Sequence, residues 1–269
     1  MERRLGVRIV VLVKHVPCAA GAPGHAGFAA DLRLDRAGRP GQLNEADEFA
    51  VDQALRVALR RRDVQIAAVT MGPVRAVEAL RRALVLGADQ AVHLLDDRLR
   101  GCDALATSRV LAAAVTRLGF DLVLCGTASA DSGMSVVPAM VAERLGVPVL
   151  CDADALTVRE STVEIHRDDG AGPEALAADL PAVVSVTGRC GEPRYPRLAA
   201  TLEARYRPVR TWTLGDLGID PAEVGRERSA TVVRTVTPRR DGGTRVLVEG
   251  DPTSVAIRLA DFLAERQFL

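Results

Sequence analysis

The stretch Asp121-Leu122-Val123-Leu124-Cys125-Gly126-Thr127-Ala128-Ser129-Ala130-Asp131-Ser132-Gly133-Met134-Ser135-Val136-Val137-Pro138 carries three signals in succession. Residues 121–125 are a short apolar run and read as a buried strand. Residues 126–137 are mostly small or hydroxyl-bearing and read as a long loop. Near Ser135 a helical pattern opens and runs through Met140 and Val141 to Gly146. Strand, loop and crossover helix in that order form the repeating unit of a parallel sheet.

The same unit recurs upstream. Val7–Val13 is a β-branched run that ends at Lys14-His15-Val16-Pro17. Leu32-Arg33-Leu34 alternates and suits a hairpin arm. From Asn44 a helix follows, with Val51, Ala54, Leu55, Ala58 and Leu59 on one face and acidic residues in its first turn. Arg60-Arg61-Arg62 closes it, where cations complement the helix dipole. Val64–Thr70 is a second strand. Met71-Gly72-Pro73 is a turn, with Pro73 suited to a first helical position. Val74, Val77, Leu80 and Leu84 trace the next helix, which stops at Gly87. Ala91–Leu95 is a third strand, and Leu105, Ser108, Leu111, Ala112 and Val115 mark a helix closed near Gly119. The expected fold class is α/β, a three-layer sandwich with helices on both faces of a parallel sheet.

After Pro148 the rhythm changes. Short alternating runs appear at Thr162–His166 and Ala182–Thr187, followed by the proline-punctuated Glu192-Pro193-Arg194-Tyr195-Pro196. Arg197-Leu198-Ala199-Ala200-Thr201-Leu202 resumes a helical pattern. Thr231–Thr237 and Thr244–Val248 look β-like. Asp251-Pro252-Thr253 then leads into a last helix carrying Val255, Leu259, Phe262 and Leu263. This extension holds too few regular elements for an obvious core of its own.

The 269 residues suit one large α/β domain with extensions. Apolar residues reach 48% but aromatics only 3%, so Val, Leu and Ala must fill the core. Lys plus Arg equals Asp plus Glu at 35 each, and this balance argues against a nucleic-acid partner. The five cysteines form no C-x-x-C pair, and the reading is buried or half-buried thiols in a reducing cytosol. No apolar run reaches membrane-spanning length, and no signal peptide is expected.

Ligands of an open parallel sheet sit at the carboxyl ends of its strands. Three loops leave such ends: 13–17, Val69-Thr70-Met71-Gly72-Pro73, and the 126–137 run. Small residues let backbone N–H groups approach a phosphate, and a helix N-terminus adds a favourable field. The run is neither G-x-G-x-x-G nor a P-loop, so composition leaves two readings: a phosphate loop, or an ordinary strand-to-helix turn. Asn44-Glu45-Ala46-Asp47-Glu48 is similarly double. Asn44 caps a helix and Asp47 complements its dipole, or the Asn44 amide faces an adenine edge or ribose. No triad or carboxylate pair is evident, so no catalytic residue is named.

In joint order these segments resemble the electron transfer flavoprotein β-subunit family. The pieces are Val13-Lys14-His15-Val16-Pro17; Asn44, then Asp47-Glu48-Phe49-Ala50-Val51-Asp52-Gln53-Ala54-Leu55; Met71-Gly72-Pro73; Ala83-Leu84-Val85-Leu86-Gly87-Ala88-Asp89; and the Gly126–Pro138 loop. Asp179-Leu180-Pro181-Ala182-Val183-Val184-Ser185-Val186 follows, leading to Glu192-Pro193-Arg194-Tyr195, and this last stretch is the most specific. The likeness weakens after about residue 225. It implies a nucleotide-binding α/β domain over 1–225, with a partner-recognition loop near 192–202. A C-terminal arm and helix over 226–269 would reach a larger α subunit.

The resemblance also implies a pocket formed by Leu12, Asn44, Glu45, Ala46, Asp47, Met71 and the loop Gly126, Thr127, Ala128, Ser129, Ala130, Asp131, Ser132, Gly133, Met134, Ser135, Val136 and Val137. It would hold AMP structurally, or a second FAD as in electron-bifurcating members. The redox FAD is shared with the α subunit. Electrons would arrive from flavin dehydrogenases and leave to a membrane quinone oxidoreductase, so the chain is an electron carrier rather than an enzyme. Tyr195 and Leu198 would dock the dehydrogenase, with Leu198 as the anchor; the other reading makes Leu198 the first core residue of a helix. The sequence departs from the family where Asp131-Ser132-Gly133-Met134-Ser135-Val136 replaces the commoner Asp-Gly-Asp-Thr-Ala-Gln, which leaves AMP against FAD open. A stand-alone nucleotide sensor of the same fold predicts a chain ending near residue 150. An adenylating enzyme predicts a Ser-Gly-Gly-x-Asp-Ser loop, which residues 14–24 lack.

Overall fold

In the computed structural model, the residues described are 6–18, 28–29, 31–36, 40–196, 198–237 and 247–268. They divide into two compact units, 1–233 and 234–269.

The first unit is built on a seven-stranded sheet. Its strands are β1 (Val7–Leu12), β4 (Val64–Met71), β5 (Gln90–Leu94), β6 (Leu122–Gly126), β7 (Val149–Ala153), β11 (Ala182–Val186) and β12 (Val209–Trp212). Their order is β12-β5-β4-β1-β6-β11-β7, and every pairing is parallel. β2 (His15–Pro17) and β3 (Gly41–Leu43) form a small antiparallel ribbon beside it. β8 (Ala155–Val158), β9 (Thr162–Asp168) and β10 (Pro173–Asp179) form an antiparallel three-stranded sheet.

The strands that lie between others are buried on both faces, as in a sheet covered by helices. β6 and β11 are buried along their whole length. Helices α1 (Glu45–Arg60) and α2 (Val77–Leu86) cover one face, where Ala50, Val51, Ala54, Ala79 and Leu80 meet Ile9, Val11 and Leu124. Helices α3 (Ala104–Leu118) and α4 (Val137–Leu145) cover the other, where Val110, Val115 and Val141 meet Val10, Val123 and Val183. Each fully buried Val or Leu contributes roughly 1.5–3 kcal/mol. This is the expected three-layer α/β sandwich. Gly87, Gly119 and Gly146 stand at the helix ends where the sequence places them.

Several local expectations need correction. Leu59 is exposed, and the buried face of α1 runs through Ala50, Val51, Ala54 and Val57 instead. Leu105 and Val74 are also exposed. Pro73 is extended and precedes a short 3₁₀ turn at Val74–Ala76, so α2 begins only at Val77. The helix expected near Ser135 starts at Val137, because Ser135 sits at φ +55 and cannot join it. Leu34 bridges Phe28 in antiparallel fashion, consistent with a hairpin arm.

The extension beyond residue 150 does not stand apart: β11 inserts between β6 and β7, and β12 extends the far edge. Thr231–Thr237 forms no strand. Alternation alone does not suffice without a neighbour to pair with, and Thr231 bonds the Asp103 carboxylate instead. Of Thr244–Val248, residues 244–246 lie outside the described residues, and Leu247 and Val248 are not in a strand.

In the first unit, α5 (Leu198–Ala204) precedes β12. In the second unit, α6 (Pro252–Glu265) is capped by the Asp251 carboxylate, which accepts from Thr253 N and Ser254 N. No residue of α6 is buried. Leu259 is exposed, while Val255, Phe262 and Leu263 are half-buried. No helix of the described residues is long and apolar enough to cross a membrane.

Candidate functional site

The chain leaves β1 toward β4 and β5 on one side, then returns to place β6 and β11 on the other. The order reverses between β1 and β6. The loops from these two strand ends diverge there, and the crevice between them is where open α/β sheets take ligands. Lys14, after β1, reaches Ser129 and Asp131, after β6, across this position.

Asp47, in the first turn of α1, ties the two loops together. It is 6% exposed. One carboxylate oxygen accepts from Lys14 N at 2.8 Å and the other from Gly126 N at 3.0 Å. Burial pushes the carboxyl up to about 7, against the opposing pull of these amide donors and Asn44. Gly126 is required by this approach. A Cβ there would lie 2.6 Å from the Ala46 Cβ and 2.6 Å from Asp47 Oδ1.

Asn44 stands at the N-cap position of α1. It makes no side-chain cap for α1. Its Nδ2 donates to Ala128 O at 2.9 Å, and its Oδ1 accepts from Ala130 N at 3.0 Å. At 2% exposure, the amide is a bracket inside the 126–137 loop.

Lys14 is the site residue that sequence reading overlooks. Its Nζ donates to Ser129 Oγ at 3.0 Å and to Asp131 Oδ1 at 2.6 Å. Arg36 also pairs with Asp131, Nε to Oδ2 at 3.2 Å. Burial pulls the Asp131 carboxyl upward, but the two cations outweigh it and hold it below the usual carboxylate range. The trio carries two positive charges and one negative. The available signal was position: a lone cation directly after the first strand of a doubly wound sheet.

The remaining residues named from the sequence lie at strand ends, along the 126–137 loop and at helix starts. Leu12 ends β1 and is buried, and Met71 ends β4. Thr127 donates to the Asp152 carboxylate, which joins the loop to β7. Ser129 and Ser132 share a hydroxyl bond of 2.6 Å. Gly133 (φ +58) and Ser135 (φ +55) bend the loop on either side of Met134. Among the described residues, the N–H groups of Met134, Ser135 and Val136 meet no acceptor in front of α4. Glu45 and Ala46 lie in the first turn of α1, with Ala46 packed on Gly126. Val137 begins α4.

Tyr195 is 95% exposed and Leu198 77% exposed, so Leu198 opens α5 without entering the core. No group of His, Cys, Asp and Glu suited to a metal ion occurs among the described residues.

Fold and strand order define an open, doubly wound α/β domain with its switch point between β1 and β6. The electron transfer flavoprotein domain matches residues 31–217. The chain is 36% identical to the electron transfer flavoprotein subunit beta of Mycobacterium leprae, over 90% of this chain and 93% of that protein. It is 31% identical to the subunit of that name from Megasphaera elsdenii, over 91% and 93%. It is 30% identical to the caffeyl-CoA reductase-Etf complex subunit CarD of Acetobacterium woodii, over 98% and 100%. The chain belongs to the electron transfer flavoprotein β-subunit family. Members of this family are electron carriers that associate with flavin through an α-subunit partner.

Proposed function

We propose that this chain is the β subunit of a heterodimeric electron transfer flavoprotein that binds AMP as a structural cofactor at the β1/β6 crevice. The observation that carries the nucleotide reading is the meeting of Lys14 and Arg36 at Asp131, in the same loop whose residues 134–136, just before α4, have N–H groups with no acceptor among the described residues. A net positive trio and unpaired N–H groups before a helix suit a phosphate. The Gly126 contact lets the loop lie close to α1, and Asn44 fixes its first half. This chain's residues therefore bind and orient the nucleotide and brace the loop.

The shared FAD supplies the redox chemistry when bound with the α subunit. Flavin dehydrogenases would be the donors, meeting the exposed Tyr195 and Leu198, and a membrane quinone oxidoreductase the acceptor. The working compartment would be the cytoplasm. A second FAD in the crevice is the alternative, favoured by the likeness to CarD, a subunit of a caffeyl-CoA reductase-Etf complex.

The test is to copurify the chain with its α subunit, extract the nucleotides and record the flavin spectrum. One FAD and one AMP per heterodimer is the expected content. Two FAD would select the alternative, and no adenine nucleotide beyond one FAD would refute a nucleotide at this crevice.

A further inference from the structure

The segment 190–194, buried at Cys190 and mostly exposed beyond it, is pinned to α1 by three side chains of a single helical turn. Gln53 Nε2 donates to Cys190 O at 3.0 Å. Arg56 Nη2 donates to Glu192 O at 3.1 Å. Gly191 sits at φ +100, and a Cβ there would lie 3.3 Å from the same Nη2, so the backbone runs close against the guanidinium. Asp52 completes the set. One of its oxygens accepts from Arg194 Nε at 3.0 Å and from Arg194 N at 3.4 Å, and the other accepts from Arg56.

The Asp52 carboxylate is the hub of this arrangement. Its side chain is 3% exposed, while those of Arg56 and Arg194 are 40% and 43% exposed. Placing a charge out of water is costly unless it is paired and hydrogen-bonded. The neighbours of Asp52 on α1, Ala50, Val51 and Ala54, bury apolar surface instead. What the charge fixes is the segment: Asp52 holds the arginine that grips residue 192 and the arginine of residue 194. Tyr195, Leu198, Leu202 and Tyr206 then follow as exposed apolar side chains. Pro193 and Pro196 restrict the chain on both sides of Tyr195.

We infer that Asp52 is a positioning residue that holds residues 190–194 against α1 in the conformation presenting Tyr195 and Leu198 to a partner protein. Asp52 sets docking without touching the partner. The inference rests on the reading that this exposed segment docks a dehydrogenase, and the experiment separates the two.

Asp52→Asn, Arg194→Gln and Leu198→Ala are each made in the two-subunit complex. Amide exchange is followed over residues 191–206. Electron transfer is measured with a flavin dehydrogenase that reduces the wild-type complex, resolving KM from kcat. Asp52→Asn is expected to speed exchange across 191–196 and to raise KM for the dehydrogenase about fivefold or more, with kcat unchanged. Arg194→Gln removes one arm of the hub at an exposed position. It should move both readouts the same way, and it decides the matter if Asp52→Asn does not fold. Unchanged exchange in both variants overturns the hub. Faster exchange with an unchanged KM, where Leu198→Ala raises KM, overturns its role in docking. No effect of Leu198→Ala overturns the docking reading itself, and with it the inference.

Discussion

Replacing Gly126 with alanine tests the junction on which the site is built. The new methyl carbon would stand 2.6 Å from the Ala46 Cβ, 2.6 Å from Asp47 Oδ1 and 2.7 Å from the Ala46 carbonyl carbon. Ordinary carbon contacts lie at about 3.5–4.0 Å, so α1 must retreat from β6 by about 1 Å. Two of the three atoms belong to Ala46 at the start of a helix and cannot swing away, and the third, Asp47 Oδ1, is held by the Gly126 amide. Overpacking of this kind costs about 1–3 kcal/mol. The retreat also stretches the 3.0 Å bond from Gly126 N to Asp47, worth about 1 kcal/mol or more for a charged acceptor.

A total of about 2–4 kcal/mol lowers Tm by roughly 5–15 °C for a domain of this size. The assay is thermal melting of the heterodimer, with retained nucleotide measured in parallel. Gly133→Leu is the contrast. A Cβ at Gly133 meets nothing within 4 Å, so the protein itself objects only to φ +58, at about 1–2 kcal/mol. That variant should keep most of its stability and lose the nucleotide. A Gly126→Ala complex that melts within a degree or two of wild type would refute the close approach. Full occupancy in Gly133→Leu would refute the placement of the phosphate.

Leu198→Ala should leave Tm nearly unchanged, since surface changes stay within about 0.5 kcal/mol; a loss of several degrees would make it a core residue after all. Deleting residues 251–269 should weaken assembly with the α subunit, because the apolar stripe Val255, Leu259, Phe262 and Leu263 has no buried member in this chain. Normal assembly and FAD retention after truncation would remove that role. The raised Asp47 carboxyl gives a pH test. Folded protein binds the proton more tightly than unfolded protein between the ordinary value of 3.8 and about 7, so this group's contribution declines as pH rises through that window. The Tm advantage of wild type over Asp47→Asn should therefore shrink from pH 5 to pH 8, and an advantage that grows with pH would contradict it.

The sequence by itself determined the alternation of strands and helices, the parallel sheet and the stops at Gly87, Gly119 and Gly146. These are local properties: periodicity, chain punctuation and β-branched runs act within a few residues. It also marked residues 44–47 and 126–137 as candidate positions, each with a plain structural reading, a helix start or a strand-to-helix turn, beside the functional one. Helix faces were less legible. Leu59 and Leu105 satisfy a helical period yet lie outside the buried stripe, because the period does not say where the neighbouring sheet will be.

Only the tertiary structure decided how the pieces work. β11 enters between β6 and β7 although β8, β9 and β10 come before it in the chain. Asn44 reaches Ala128 across 84 residues, Lys14 reaches Asp131 across 117, and Asp52 reaches Arg194 across 142. A polar side chain takes the partner that folding brings within about 3 Å, and at such separations that partner is set by strand order. Asn44 in sequence is a capping residue; in space its cap position is beside a loop with an amide and a carbonyl to satisfy, and the loop claims it.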